Sequence, residues 1–231
     1  MYVLFLGPPG CGKGTQAQHL AETNSFYQLS TGNLLRAEIE AKTELGQKME
    51  TLYASGKLVD GDLVLKMVQK VVASEGAKSI LFDGFPRTVT QATAFGSFLQ
   101  SIDKKFDCIF SFSLADSEIL DRISGRMTCA DCKTVYHAKT NPSRTKDVCD
   151  KCGGKLVKRT DDSRESVKLR LEEYHRETEP LKEFYKKENV VFEIDASQSI
   201  EAVSKQISNE IEAISKYKDN KEKTSGTYSR R

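Results

Sequence analysis

The 231-residue chain has a formal net charge of +2, with 38% hydrophobic and 29% charged residues. That is the balance of an ordinary water-soluble protein with one sizeable core, and it excludes fibrous and wholly disordered classes. No apolar run approaches the ~20 residues that span a bilayer, and Tyr2–Leu6 is too short for a secretion signal, so a cytoplasmic location is expected with no membrane partner. The basic surplus is local: Lys216–Arg231 holds six Lys/Arg against Asp219 and Glu222, a segment charge of +4 that leaves −2 for the rest. A nucleic-acid-binding body would need a basic face rather than a basic end.

Tyr2–Leu6 leads into Gly7-Pro8-Pro9-Gly10-Cys11-Gly12-Lys13-Gly14-Thr15 and then a helix-forming stretch from about Lys13. Strand, glycine-rich turn and helix start in that order make a phosphate-binding loop. Glycines expose several N–H groups to one anion, the helix terminus adds partial positive charge, and Lys13 can reach phosphate oxygens. The expected ligand is a nucleoside triphosphate with magnesium. The usual pattern places Ser or Thr directly after the lysine, whereas here Gly14 intervenes and the hydroxyl is that of Thr15.

Apolar runs without helical periodicity recur at Tyr27–Leu29, Ile80–Phe82, Cys108–Leu114 and Val190–Ile194 and read as buried parallel strands. Helical patterns lie between them at Asp62–Ala73, Ser117–Arg126 and Ser199–Ser215. Another begins at Asp162 or Ser163, with Glu165 close to the capping-box position, runs through Tyr174 and breaks or bends at Pro180, after which Leu181, Phe184 and Tyr185 resume the apolar face. Alternating strands and helices predict an α/β fold with a parallel sheet, its ligands at the carboxyl ends of the strands. Lys216–Arg231 has no periodic apolar positions and is expected to be a disordered tail, either merely solvated or docking on an acidic surface.

Cys129-Ala-Asp-Cys132 and Cys149-Asp-Lys-Cys152 are two knuckles with sixteen residues between them, the spacing of a closed four-thiolate zinc site. Two disulfides or four separate thiols are the alternatives, which a reducing compartment disfavours. His137 could replace one sulfur, although four cysteines suffice. Cys11 and Cys108 stand apart with no paired base, and His19, His137 and His175 read as structural or solvated. A phosphate loop with a zinc ribbon would also suit a nucleic-acid-dependent ATPase. Arg36, Arg87, Arg122, Arg126, Arg159, Arg164 and Arg170 favour phosphoryl transfer instead, since guanidinium groups grip phosphate bidentately.

Five local sequences carry a resemblance: Gly7–Gln16, Ser30-Thr31-Gly32-Asn33-Leu34-Leu35-Arg36, Gly56-Lys57-Leu58-Val59, Asp83-Gly84-Phe85-Pro86-Arg87 and Arg159-Thr160-Asp161-Asp162. Together, over about Met1 to Ser215, they resemble the adenylate kinase family, and the cysteine module resembles the zinc-stabilised lid of its long bacterial type. The resemblance implies a five-stranded parallel sheet with helices on both faces, with core at 1–29, 60–121 and 160–215, an AMP-binding insertion at 30–59, a zinc-binding lid at 122–159 and a tail at 216–231. It implies transfer from MgATP to AMP giving two ADP in a monomer; another nucleoside monophosphate kinase is the alternative within the class. On the ATP side it implies Gly10, Cys11, Gly12, Lys13, Gly14, Thr15, Arg122, Val135, Tyr136 and Gln198. On the AMP side it implies Thr31, Arg36, Lys57, Leu58, Val59, Gly84, Phe85, Arg87, Gln91, Arg159 and Arg170, with Arg159 also closing over ATP from the lid beside Arg122. Lys13, Arg87, Arg122, Arg159 and Arg170 are the implied catalytic cations, Asp83 a magnesium carboxylate acting through water, and Cys129, Cys132, Cys149 and Cys152 the zinc ligands. Two departures stand out. Asp60-Gly61-Asp62 replaces the family's acidic pair, leaving the hinge there open, and Asn33 stands where aspartate is common, an expected weaker helix cap.

Overall fold

The computed structural model describes residues 1–54, 60–75 and 78–226. Lys57, Leu58 and Val59 therefore lie outside the described residues. Strand β1 (Tyr2–Leu6) runs through the phosphate loop into helix α1 (Lys13–Asn24), followed by β2 (Tyr27–Ser30), α2 (Thr31–Glu40), α3 (Glu44–Ala54), α4 (Gly61–Glu75), β3 (Ile80–Asp83), α5 (Val89–Ser101), β4 (Cys108–Ser113) and α6 (Asp116–Ser124). Three short strands come next, β5 (Arg126–Cys129), β6 (Val135–His137) and β7 (Leu156–Val157). The chain then returns through a 3-10 turn (Thr160–Asp162), α7 (Arg164–Glu173), a π-helical turn (Tyr174–Thr178), α8 (Leu181–Lys186), β8 (Val191–Asp195) and α9 (Ile200–Gly226).

The main sheet is parallel throughout, in the order β2-β3-β1-β4-β8. Its central strands are mostly apolar because both faces are covered, with Asp83, Ser111 and Ser113 as exceptions, and the pleat sorts their side chains. Tyr2, Leu4 and Leu6 join Ile80, Phe82 and Ile109 on the face packed by α4, α5 and α8. Val3 and Phe5 join Leu81, Cys108, Phe110, Phe112 and Ile194 on the opposite face, under α1 and α9. Phe5, Phe82, Phe85, Phe95, Phe110 and Phe112 are each under 2% exposed, and at roughly 1.5–3 kcal/mol for every fully buried large apolar side chain they dominate the core. β5, β6 and β7 form a separate antiparallel sheet carrying the cysteines.

Four expectations change in detail. Gly125 ends α6 at Ser124, and Arg126 already belongs to β5, so the helix is shorter than its apolar pattern suggested. Ser163 caps α7 by accepting from the amide of Ser166, leaving Glu165 outside the reciprocal capping position. Asp60 caps α4, its Oδ1 accepting from the amides of Asp62 at 2.9 Å and Leu63 at 3.2 Å, which gives that departure a structural role. The disordered tail is corrected most: α9 continues to Gly226, taking in the first part of the Lys216–Arg231 segment, with Lys218 ion-paired to Asp107. A helix already docked on the sheet extends at low cost through residues that would not nucleate one.

Candidate active site

The carboxyl ends of β1, β2, β3 and β4 converge on one cavity of about 850 Å³. Gly10, Cys11, Gly12, Lys13, Gly14 and Thr15 form one wall. Gly10 sits at φ +77°, and a Cβ there would come within 2.6 Å of the Ile123 side chain, so only glycine lets the loop pass so close to α6. Gly12 caps α1 without any side-chain acceptor for the first helical amides, whereas Ser30, Thr88 and Ser163 cap α2, α5 and α7 with hydroxyls. The amides at the start of α1 are thus left for a ligand. The Lys13 ammonium lies within the loop, donating to the carbonyls of Gly7 and Pro8, both at 2.8 Å.

The Asp83 carboxylate, at the end of β3, faces this wall, its Oδ2 3.7 Å from where a Gly14 Cβ would stand. Beyond it, Thr31 Oγ1 and Arg87 Nε both donate to the Gly84 carbonyl at 2.8 Å, and the Arg87 amide donates to Gln91 Oε1 at 2.8 Å. Phe85 anchors this turn from a fully buried position. Thr178 in the π-helical turn donates to the Arg87 carbonyl at 2.8 Å, a support that no sequence pattern announced. Asn33 is not the cap of α2; Ser30 is. Asn33 Oδ1 instead accepts from Arg36 Nη2 at 2.5 Å, holding that guanidinium on the same rim.

The far wall gathers the remaining cations. Arg122 donates to the Cys11 carbonyl at 3.4 Å and to the Ala196 carbonyl at 2.7 Å, tying α6 to the phosphate loop. Arg159 donates to Thr128 Oγ1 at 2.9 Å. Burial first, then repulsion from Arg126 and Arg36, draws its guanidinium down to about 10, still fully charged at neutral pH. Arg170 donates to Asp161 Oδ2 at 2.8 Å and to the Asp161 carbonyl at 3.2 Å, while Arg126 forms a two-point pair with Asp162. Burial opposes charge on Asp161, but Arg170, with Arg36, Arg126 and Arg159, outweighs it and holds the carboxyl below the usual carboxylate range. Val135, Tyr136 and Gln198 line the same cavity, as do all the other described candidates apart from Arg164 and three of the cysteines.

The cysteines gather in the three-stranded sheet. Their Sγ atoms all lie within 4.8 Å of one another, with Cys129–Cys152 and Cys132–Cys149 at 3.5 Å. Zinc–sulfur bonds of about 2.3 Å set tetrahedral sulfurs about 3.8 Å apart, so the four residues fit such an ion. Burial works against the Cys149 thiolate, yet the Tyr136 hydroxyl and nearby amides bring that thiol down to about 6. The Gly154 amide favours the Cys152 thiolate, but hydrogen bonds with Cys132 and Cys129 outweigh it and push that thiol up to about 12. All six cysteines are free thiols, and His137 is no part of the cluster. His137 Nδ1 accepts from the amides of Lys139 and Thr140.

Among the described residues no helix is long and apolar enough to cross a membrane. The adenylate kinase family model matches residues 5–190. The chain is similar to the adenylate kinase of Clostridium tetani, 42% identical over 215 residues that cover 93% of this chain and 100% of the relative. It is similar to that of Archaeoglobus fulgidus, 39% identical over 93% of this chain and 99% of the relative, and to that of Borrelia turicatae, 41% identical over 94% and 100%. The matched segment spans the phosphate loop, the arginine wall and the cysteine sheet rather than one motif, and the chain belongs to the adenylate kinase family.

Proposed function

We infer that the chain is an ATP:AMP phosphotransferase, moving a phosphoryl group reversibly from MgATP to AMP to give two ADP. The observation that carries the reading is the convergence on one cavity of an uncapped helix start, Lys13 and the guanidinium groups of Arg36, Arg87, Arg122, Arg126, Arg159 and Arg170. Two polyanions meeting end to end need that density of fixed positive charge, and they need water kept out so that the phosphoryl group is not hydrolysed. The attacking AMP oxygen is already anionic, so positioning and charge neutralisation suffice without a side-chain base.

In this reading ATP lies along Gly10–Thr15, with Val135, Tyr136 and Gln198 about its nucleoside, and AMP lies along Thr31, Arg36, Gly84, Phe85 and Gln91, with Lys57, Leu58 and Val59 completing that side. Arg87 grips the AMP phosphate, Arg122 and Arg159 approach ATP, and Arg170 stands between the two. Segments 30–59 and 122–159 serve as movable covers over a core of 1–29, 60–121 and 160–215. The Asp83 carboxylate and the Thr15 hydroxyl are the hard oxygen donors magnesium prefers, with Asp83 acting through water. When bound, the ion would neutralise charge on the ATP phosphates. The four cysteines would hold one structural zinc, closed to water and remote from the reaction. We place the enzyme in the cytoplasm as a monomer without a nucleic-acid partner, in keeping with its free thiols.

Mixing the purified chain with ATP, magnesium and AMP tests the reading. Two ADP must appear for each ATP consumed, and ADP alone must run the reaction backwards. ATP hydrolysis that ignores AMP and rises with added RNA or DNA would contradict it.

A further inference from the structure

Each cysteine knuckle presents one lysine to the helices beneath it. Lys133, directly after Cys132, pairs with Glu40 at the end of α2, its Nζ 3.0 and 3.1 Å from the two carboxylate oxygens. Lys151, directly before Cys152, pairs with Glu22 of α1. Between them Gln18 of α1 donates to Thr134 Oγ1 at 3.0 Å. The cysteine sheet is thus fastened to the wall bearing the phosphate loop and to the segment bearing Thr31 and Arg36.

The backbone supplies an independent sign that Lys133 is there for its side chain. Lys133 has φ +61° and Gly153 has φ +75°, and both directly follow the second cysteine of a knuckle. The turn thus asks for the left-handed conformation at this place. One knuckle meets it with glycine at no cost, and the other with a lysine, for which that conformation is unfavourable. Strain of this kind points to a role beyond the turn. The Lys133 ammonium also donates to the carbonyl of Ala130 in its own knuckle at 2.8 Å, which aims it at Glu40.

Resting on the reading above, we propose that Lys133 and Lys151 are positioning residues: a two-point electrostatic latch, aimed by the metal-holding knuckles, that favours the closed cavity and so sets nucleotide affinity. Neither lysine touches the reacting atoms in this role. Both pairs are partly exposed, so each shifts the closure equilibrium by roughly two- to five-fold and is weakened by salt.

Lys133→Gly separates the latch from the turn, because glycine suits the backbone there. The variant is expected to melt at or above the parent temperature, while KM for ATP and AMP rises roughly two- to five-fold at low ionic strength and kcat does not fall. At about 0.5 M salt, where the screening length is only ~4 Å, the KM difference should vanish. Lys151→Met should raise KM similarly, and Lys133→Glu joined to Glu40→Lys should restore the parental KM. An unchanged KM at low salt, a rise that persists at high salt, or failure of the exchanged pair to restore KM would overturn the latch. If the parent enzyme itself failed to make ADP from ATP and AMP, the functional reading would fall instead.

Discussion

Replacing Arg170 by methionine removes the guanidinium that donates to the buried Asp161 carboxylate. Asp161 is 3% exposed; its Oδ2 accepts from Arg170 at 2.8 Å, and its Oδ1 has no partner among the described residues. Breaking a buried pair from one side costs roughly 3–5 kcal/mol because a desolvated charge is left behind. Arg36, Arg126 and Arg159 still face Asp161, so the lower end applies, about 3 kcal/mol. In the parent the carboxyl is held low, so its contribution is present above the unfolded value of about 3.9 and is lost as pH falls through the folded value. In Arg170→Met the carboxyl moves up. The deficit should therefore be largest near neutral pH and shrink as acid protonates Asp161. Adding Asp161→Asn should restore much of the stability while turnover stays low, because the cation between the two nucleotides is still missing. Urea denaturation at several pH values, with coupled ADP assays, measures both. A loss under about 1 kcal/mol, the worth of an exposed pair, or no recovery in the double variant would refute the reasoning.

Lys13→Met should keep the fold and lower turnover by about three orders of magnitude, the scale of one lost transition-state cation, as steady-state kinetics on folded protein would show. One zinc per chain is expected by metal analysis, and Cys149→Ser or chelation should lower the melting temperature before it lowers turnover in the cold. His175 lies between Glu179 at 2.9 Å and Asp116 at 3.1 Å, and the Glu179 hydrogen bond, aided by Asp116 against slight burial, raises its basicity. Its contribution is fully present below about pH 6.5 and is lost as pH rises through the elevated folded value, so His175→Gln should cost up to about 1 kcal/mol at pH 6 and little at pH 9.

Much of this was legible in the sequence because local chemistry dictated it. β1 occupies Tyr2–Leu6 as its apolar run requires, Ser163 starts α7, and two CxxC pairs meet at one point. Helices α2, α3 and α5 left fainter marks; α5 is interrupted by Thr90, Thr93, Gly96 and Ser97, and its Phe95 and Leu99 are fixed by tertiary packing rather than by a clean polar stripe. Pairings over long separations left none. Arg126 with Asp162, Thr178 with the Arg87 carbonyl and Lys133 with Glu40 join residues 36, 91 and 93 positions apart. Single charges of this kind are indistinguishable in a sequence from solvated ones.

The claim from which the rest follows is that the cavity holds two nucleotides at once, AMP on the Arg87 side and ATP on the Arg159 side. Titrating Arg87→Ala and Arg159→Ala with each nucleotide separately tests it most directly. The account predicts that Arg87→Ala weakens AMP binding and leaves ATP binding nearly intact, while Arg159→Ala loses more turnover than ATP affinity. Weakening of ATP alone by Arg87→Ala, or of AMP alone by Arg159→Ala, would contradict it.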